Sequence, residues 1–202
     1  MKWSDFGPYV LPYVVGVPEP LLELHARLAA IEFCRRTLCY TRTLDAVTTD
    51  GTPIVELESL PSTQIIKIKA VEVNGKSHPL VEPQQGLEFV RSASPLEFCF
   101  TQENLFLHVY PVQEAGVSVV VDAALAPTLR STDFSDEVAN PYLQDIAFGV
   151  IASLQRVPGQ PFSDLNASAL HTMQFERRIG VVAGKMSRGL LSSKMRSHAR
   201  LL

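Results

Sequence analysis

Gln64-Ile65-Ile66-Lys67-Ile68-Lys69-Ala70-Val71-Glu72-Val73-Asn74-Gly75 is the stretch on which the reading of the fold turns. From Ile65 to Val73 the residues alternate in character: Ile66, Ile68 and Ala70 interleave with Lys67 and Lys69, the period of 2 expected of a half-buried strand. Asn74-Gly75 follows at once, and both residue types tolerate positive φ, the signal of a type I′ hairpin turn. Outward from it, Leu87–Arg91, Leu96–Thr101, Leu105–Tyr110 and Val117–Leu125 read as further strands, with Phe98 and Phe100 on one face and Asn104 marking a turn before Leu105. Upstream, Asp50-Gly51 reads as a hairpin turn with Ala46–Thr49 and Ile54–Leu57 as its arms. Short strands at close spacing imply a small antiparallel sheet or sandwich.

Helical patterns flank this region. Pro18 and Pro20 open a helix, where a missing N–H costs least, and Leu21, Leu24, Leu28, Ile31 and Leu38 form an apolar stripe ending near Leu38. Arg35 and Arg36 fall in its last turns, where cations favour the helix dipole. Asn140-Pro141 reads as the start of a second helix, after a separate short turn over Phe134–Ala139. Its stripe is Leu143, Ile146, Ala147, Val150, Ile151 and Leu154, and it stops at Val157-Pro158-Gly159. Ser163 or Asp164 caps a third helix, carried by Leu165, Ala169, Met173 and Ile179 to about Ala183, beyond which Gly184 and Gly189 weaken it, as does Gly180 just before. The expected fold is therefore α+β: a bundle of about three main helices (residues 18–42 and 133–184), a small antiparallel β-sheet or sandwich inserted at 43–132, an extended N-terminal arm at 1–17 and a basic C-terminal tail at 185–202.

Composition excludes several classes. Apolar residues make up 46% and charged residues 19% of the 202, ordinary for a globular chain and against wholesale disorder. Net charge is -3, but of 18 Lys and Arg seven lie in residues 172–202 beside one acid, Glu176. The body is thus acidic and the end basic. Three readings of that end stand side by side: a solvated tail, a segment docking on an acidic protein surface, or one lying near DNA phosphates. No segment reaches the roughly 18 apolar residues of a membrane span, and Lys2-Trp3-Ser4-Asp5 is not followed by the apolar core of a signal peptide. The N-terminal aromatics Trp3, Phe6, Tyr9 and Tyr13 are too few to build a core of their own, so they pack on their own domain or on a neighbouring subunit.

Catalytic patterns are missing from the sequence: there is no glycine-rich phosphate loop and no Gly-x-Ser-x-Gly elbow. The histidines 25, 78, 108, 171 and 198 are scattered without metal-ligand spacing, and His25 and His108 read as satisfied boundary residues. Asp133, Asp136 and Glu137 could bind a cation but read as a solvated helix start. Cys34, Cys39 and Cys99 read as reduced, mostly buried small hydrophobes; Cys34 and Cys39, five apart, would point in different directions on a helix, and Cys34 has no base partner at a suitable spacing. No catalytic residue, metal site or cofactor is expected.

Several strings, in order, carry a resemblance: Val17-Pro18-Glu19-Pro20, Phe33-Cys34-Arg35-Arg36-Thr37, Asn74-Gly75 with Leu80, Tyr110-Pro111, and Pro158-Gly159-Gln160-Pro161-Phe162-Ser163-Asp164. Together they resemble the head–tail adaptor (connector) proteins of tailed bacteriophages. Two positions depart from that pattern: Tyr40 is the aromatic where a tryptophan commonly follows the Phe-Cys string, and Phe162 stands where the linker usually has Trp. The resemblance implies a non-enzymatic structural virion protein at the head–tail interface, assembled in the host cytoplasm. It implies a homo-oligomeric ring, typically a dodecamer, beneath the portal protein, carrying tail or nozzle proteins and passing packaged DNA without sequence-specific binding. It further implies that Lys185, Arg188, Lys194, Arg196 and Arg200 meet the portal or line the channel, and that Trp3, Phe6, Tyr9 and Tyr13 meet neighbouring subunits. The competing expectation is a small soluble enzyme or ligand-binding domain with a pocket in the β region.

Overall fold

The computed structural model describes residues 1–82, 97–101 and 106–188. A 3-10 helix (Trp3–Phe6) and a short helix α1 (Gly7–Val10) precede α2 (Glu19–Thr37). Strands β1 (Thr41–Thr43), β2 (Val47–Thr48), β3 (Ile54–Glu56), β4 (Thr63–Val73), β5 (Lys76–His78), β6 (Phe98–Thr101), β7 (Phe106–Tyr110) and β8 (Ser118–Pro127) follow. Helices α3 (Asp136–Gln155) and α4 (Leu165–Arg188) complete the described chain. The expected strand at Leu87–Arg91, the turn at Asn104 and the basic residues Lys194, Arg196 and Arg200 lie outside the described residues.

The expectation of a helical bundle with a small β insert is corrected. Among the described residues the strands form two antiparallel sheets, of five and three strands, a larger β component than a small insert. β8 is central in the larger sheet: it pairs with β1 and β2 on one edge and with β4, which in turn pairs with β5, on the other. The smaller sheet runs β3-β7-β6. The sheet is not a lobe apart, because α2 packs directly on β8 and one hydrophobic core joins Ala26, Ala30 and Phe33 to Val71, Val121 and Leu125. Residues 41 and 42, expected at the end of the helical core, already belong to strand β1.

The reason for this close union is the face that α2 buries. The leucine stripe is not that face: Leu24 and Leu28 are 42% and 45% exposed. The buried set is Leu22, Ala26, Ala29, Ala30, Ile31, Phe33, Cys34 and Thr37, which shares only Ile31 with the expected stripe and is made largely of small side chains. Small side chains let the axis of α2 approach both β8 and α3, which leucines on that face would hold away. α3 does bury its expected stripe: Ile146, Ala147, Val150, Ile151 and Leu154 are inside.

Other boundaries move for local reasons. Asp50-Gly51 does not join a hairpin, since Val47 pairs with Val119 in one sheet and Ile54 with His108 in the other. Asn74-Gly75 does, with φ of 51° and 75° and Val73 opposite Lys76. α3 starts at Asp136 after Ser135, not at Pro141, and runs on through that proline. α4 continues through Gly180 and Gly184, with Asp164 accepting the N–H groups of Asn166 and Ala167 at its start, both 2.9 Å. The N-terminal segment is not extended. Trp3, Phe6, Val10 and Val14 are buried, and Trp3 donates its Nε1–H to the Ser131 carbonyl at 2.9 Å while its ring stacks on Phe134 at 5.3 Å.

Candidate functional site

Burial divides the four N-terminal aromatics. Trp3 and Phe6 belong to this chain's own core, so an inter-subunit role for them is corrected to an internal one. Tyr9 and Tyr13 are 45% and 56% exposed, and Leu11 and Val15 stand out beside them. Pro8, Tyr9, Pro12 and Tyr13 lie over Gln144 and Phe148 of α3 around a shallow cavity of about 220 Å³. Tyr13 also meets the His171 ring edge-on at 5.3 Å, which links this segment to α4. There Leu165, Leu170 and Met173 are exposed. Thr172 and Leu28 share a second cavity of about 180 Å³, which brings Leu28 of α2 alongside α4.

The basic end is helical where it is described. Lys185 and Arg188 occupy the last turn of α4, where their charges face the negative end of the helix dipole. Neither makes an ion pair among the described residues, whereas Arg178, earlier on the same helix, is held by Asp145 at 2.8 Å. Arg36 of α2 clamps α4 through Glu176 with two contacts of 2.6 and 2.5 Å. That contact holds the Glu176 carboxyl below its ordinary range.

The acidic cluster is engaged structurally. Asp136 takes the Met1 ammonium at 2.6 Å, and Glu137 takes Arg42 at 2.5 Å, both at the start of α3. His25 Nδ1 lies 2.8 Å from the Ser153 hydroxyl, and burial lowers its pKa. His108 stacks on Phe100 at 4.6 Å and is lowered likewise. Among the described residues no group of three or more His, Cys, Asp or Glu could hold a metal ion. The β region does contain a cavity of about 480 Å³ between residues 44–48 and 56–61, with Leu44, Val47, Leu57 and Leu60 beside the carboxylates Asp45 and Glu58.

Sequence reasoning missed the manner in which α2 ends. The three thiols are free, Cys34 and Cys99 are buried, and Cys34 and Cys39 do not share a helix. α2 ends between them at Leu38, whose φ of 54° and ψ of 30° turn the chain back. No glycine marks that left-handed position, so the usual signal was missing from the string.

Among the described residues, no helix is long and apolar enough to cross a membrane. A scan against protein-family models found no match to this chain, and a search of curated proteins found none either.

Proposed function

We propose that this chain is a structural virion protein, a head-to-tail adaptor whose copies form a ring beneath a portal protein, extend the DNA channel and offer a platform to tail proteins. The observation that carries the reading is the exposed set Tyr9, Leu11, Tyr13 and Val15 on the N-terminal segment, which lies on α3 and reaches α4 through Tyr13 and His171, while α4 carries Lys185 and Arg188, neither in an ion pair among the described residues. A ring subunit needs both an apolar lateral surface and a charged end for a second partner. The strings that carry the resemblance lie at junctions of the fold: Phe33–Thr37 closes α2, and Pro158–Asp164 joins α3 to α4. Tyr9 and Tyr13 are the lateral contacts in this reading, and Lys185 and Arg188, with Lys194, Arg196 and Arg200 beyond them in sequence, meet the portal or the channel. The virion's head–tail interface is the site of action.

Co-expression with the portal protein of the same genome, followed by negative-stain electron microscopy, tests this. The expected result is a portal ring carrying an added collar; bare portals with this chain left separate would overturn it. Because α4 runs to Arg188, the informative truncation removes 189–202 and spares the helix.

One observation favours a second reading, a ligand-binding domain: the cavity of about 480 Å³ at residues 44–48 and 56–61 is large enough for a small molecule. A thermal-shift screen separates the two. A specific rise at modest ligand concentration, abolished by Leu57→Trp, supports the pocket.

A further inference from the structure

We propose that residues 189–202, which follow α4, dock on their own chain in the cleft between the two sheets, the cavity of about 480 Å³ at residues 44–48 and 56–61. The cleft exists because its walls belong to different sheets. Val47 of β2 pairs with Val119 in the larger sheet, while Glu56 of β3 pairs with Phe106 in the smaller. β2 and β3 lie side by side without pairing, and among the described residues each is bonded to a neighbouring strand on one side only. Such edges present backbone N–H and C=O groups that an extended peptide can use. The floor is apolar: Leu44 and Leu57 are buried, with Val47 and Leu60 half-buried beside them.

Charge selects the segment. Asp45, Glu56 and Glu58 stand exposed at the rim, and none makes an ion pair or a side-chain hydrogen bond among the described residues. No Lys or Arg is among the described residues that line the cleft. Residues 189–202 are the converse: Lys194, Arg196 and Arg200 without an acid, and Leu190, Leu191, Leu201 and Leu202 to meet the apolar floor. Opposite charges around an apolar contact select the partner and fix its register.

The end of α4 points the segment the right way. Phe175 lies against Gly149 and Arg178 against Asp145, so α4 runs antiparallel to α3 and brings Arg188 back to the level of Ser135. Ser135 and Pro61 border one cavity, and Pro61 also borders the cleft. From Arg188 the segment 189–202 can span up to about 45 Å when extended. The inference uses a single copy of the chain and does not rest on the ring reading. It fills with peptide the space that the second reading gives to a small molecule.

Photocrosslinking of the full-length protein carrying Leu191→p-benzoylphenylalanine tests it. Heavy-isotope-labelled and unlabelled protein are mixed, illuminated and mapped by peptide mass. The expected products join the probe to residues 44–48 or 56–61 within one isotope. Products that mix isotopes would assign the cleft to a second copy, and cross-links elsewhere, or none, would leave it to a different partner; each overturns the proposal. Trypsin gives a readout that needs no variant. Cleavage after Lys194, Arg196 and Arg200 is expected to be about threefold or more slower in the protein than in a free peptide of residues 189–202, and the protection to fade at about 0.5 M sodium chloride. Glu56→Gln with Glu58→Gln, both exposed, should remove the protection at low salt and leave the denaturant midpoint in place. Equal cleavage of protein and peptide, or protection indifferent to salt and to these carboxylates, overturns it as well.

Discussion

Gly149 lies in the middle of α3, where alanine would ordinarily be the better helix former by about 1 kcal/mol. A Cβ built there meets the Phe175 ring at 2.9 Å from two carbons and 3.1 Å from a third. Ordinary carbon–carbon contact is about 3.5–4.0 Å, so the ring must retreat by roughly 0.6–1 Å. It is 5% exposed and packs on Phe33 with centroids 6.1 Å apart. The free space beside it, about 180 Å³ and bordered by Leu28 and Glu176, leads outward, so taking it loosens the contact with Phe33. Overpacking of this sort costs about 1–3 kcal/mol. Set against the propensity gain, Gly149→Ala is expected to destabilise by about 1 kcal/mol, or roughly 2–4 °C in Tm for a chain of this size. Urea unfolding followed by circular dichroism measures it. Phe175→Leu should cost stability alone yet remove the penalty of Gly149→Ala when combined with it, so the pair is non-additive. A Gly149→Ala protein as stable as the parent, or more so, would refute the claim that α3 and α4 meet through this glycine.

The burial of α2 predicts opposite outcomes on its two faces. Leu28→Glu should change stability by less than about 0.5 kcal/mol, whereas Ala30→Leu should cost about 1–3 kcal/mol, and denaturant midpoints compare them. Arg36→Met removes the clamp on Glu176; both side chains are more than a third exposed, so the loss should be about 0.5–1 kcal/mol and shrink at high salt. Acid should weaken the fold in two stages. His25 and His108 titrate below their ordinary 6.5 because burial disfavours the charged form, so their contribution is complete above that value and is lost as pH falls through the folded pKa. Glu176, held low by Arg36, follows at more acidic pH. A urea midpoint unchanged between about pH 7 and about pH 5 would contradict the first stage.

What could be read from the string was what local chemistry decides. β4 and its Asn74-Gly75 turn declare themselves because alternation and positive φ are properties of neighbouring residues. The α3 stripe was legible because its buried face is also its most hydrophobic one. In α2 the two diverge: leucine outweighs alanine on any hydrophobicity scale, but close approach to β8 selects Ala26, Ala29 and Ala30. Partner choice was equally hidden. Nothing in Val47 or Ile54 reveals that Val119 and His108 are their opposite numbers in separate sheets. At the candidate site, Trp3, Phe6, Val10 and Val14 do recur at helical spacing, a signal that Pro8 and Pro12 obscured, and this spacing separates the buried aromatics from Tyr9 and Tyr13. The turn at Leu38 was masked because no glycine stands at that left-handed position.

The anchoring of Trp3 sets an order on biosynthesis. Its indole needs the Ser131 carbonyl and the Phe134 ring, so Trp3 waits for a partner 128 residues further along the chain. β1 waits as well, for Ala123 and Ala124 of β8. Contacts so far apart in sequence close late and slowly, and until then Trp3, Phe6 and the unpaired edge of β1 stay exposed to solvent. Slow translation upstream of residue 131 therefore prolongs the most aggregation-prone stage of the nascent chain.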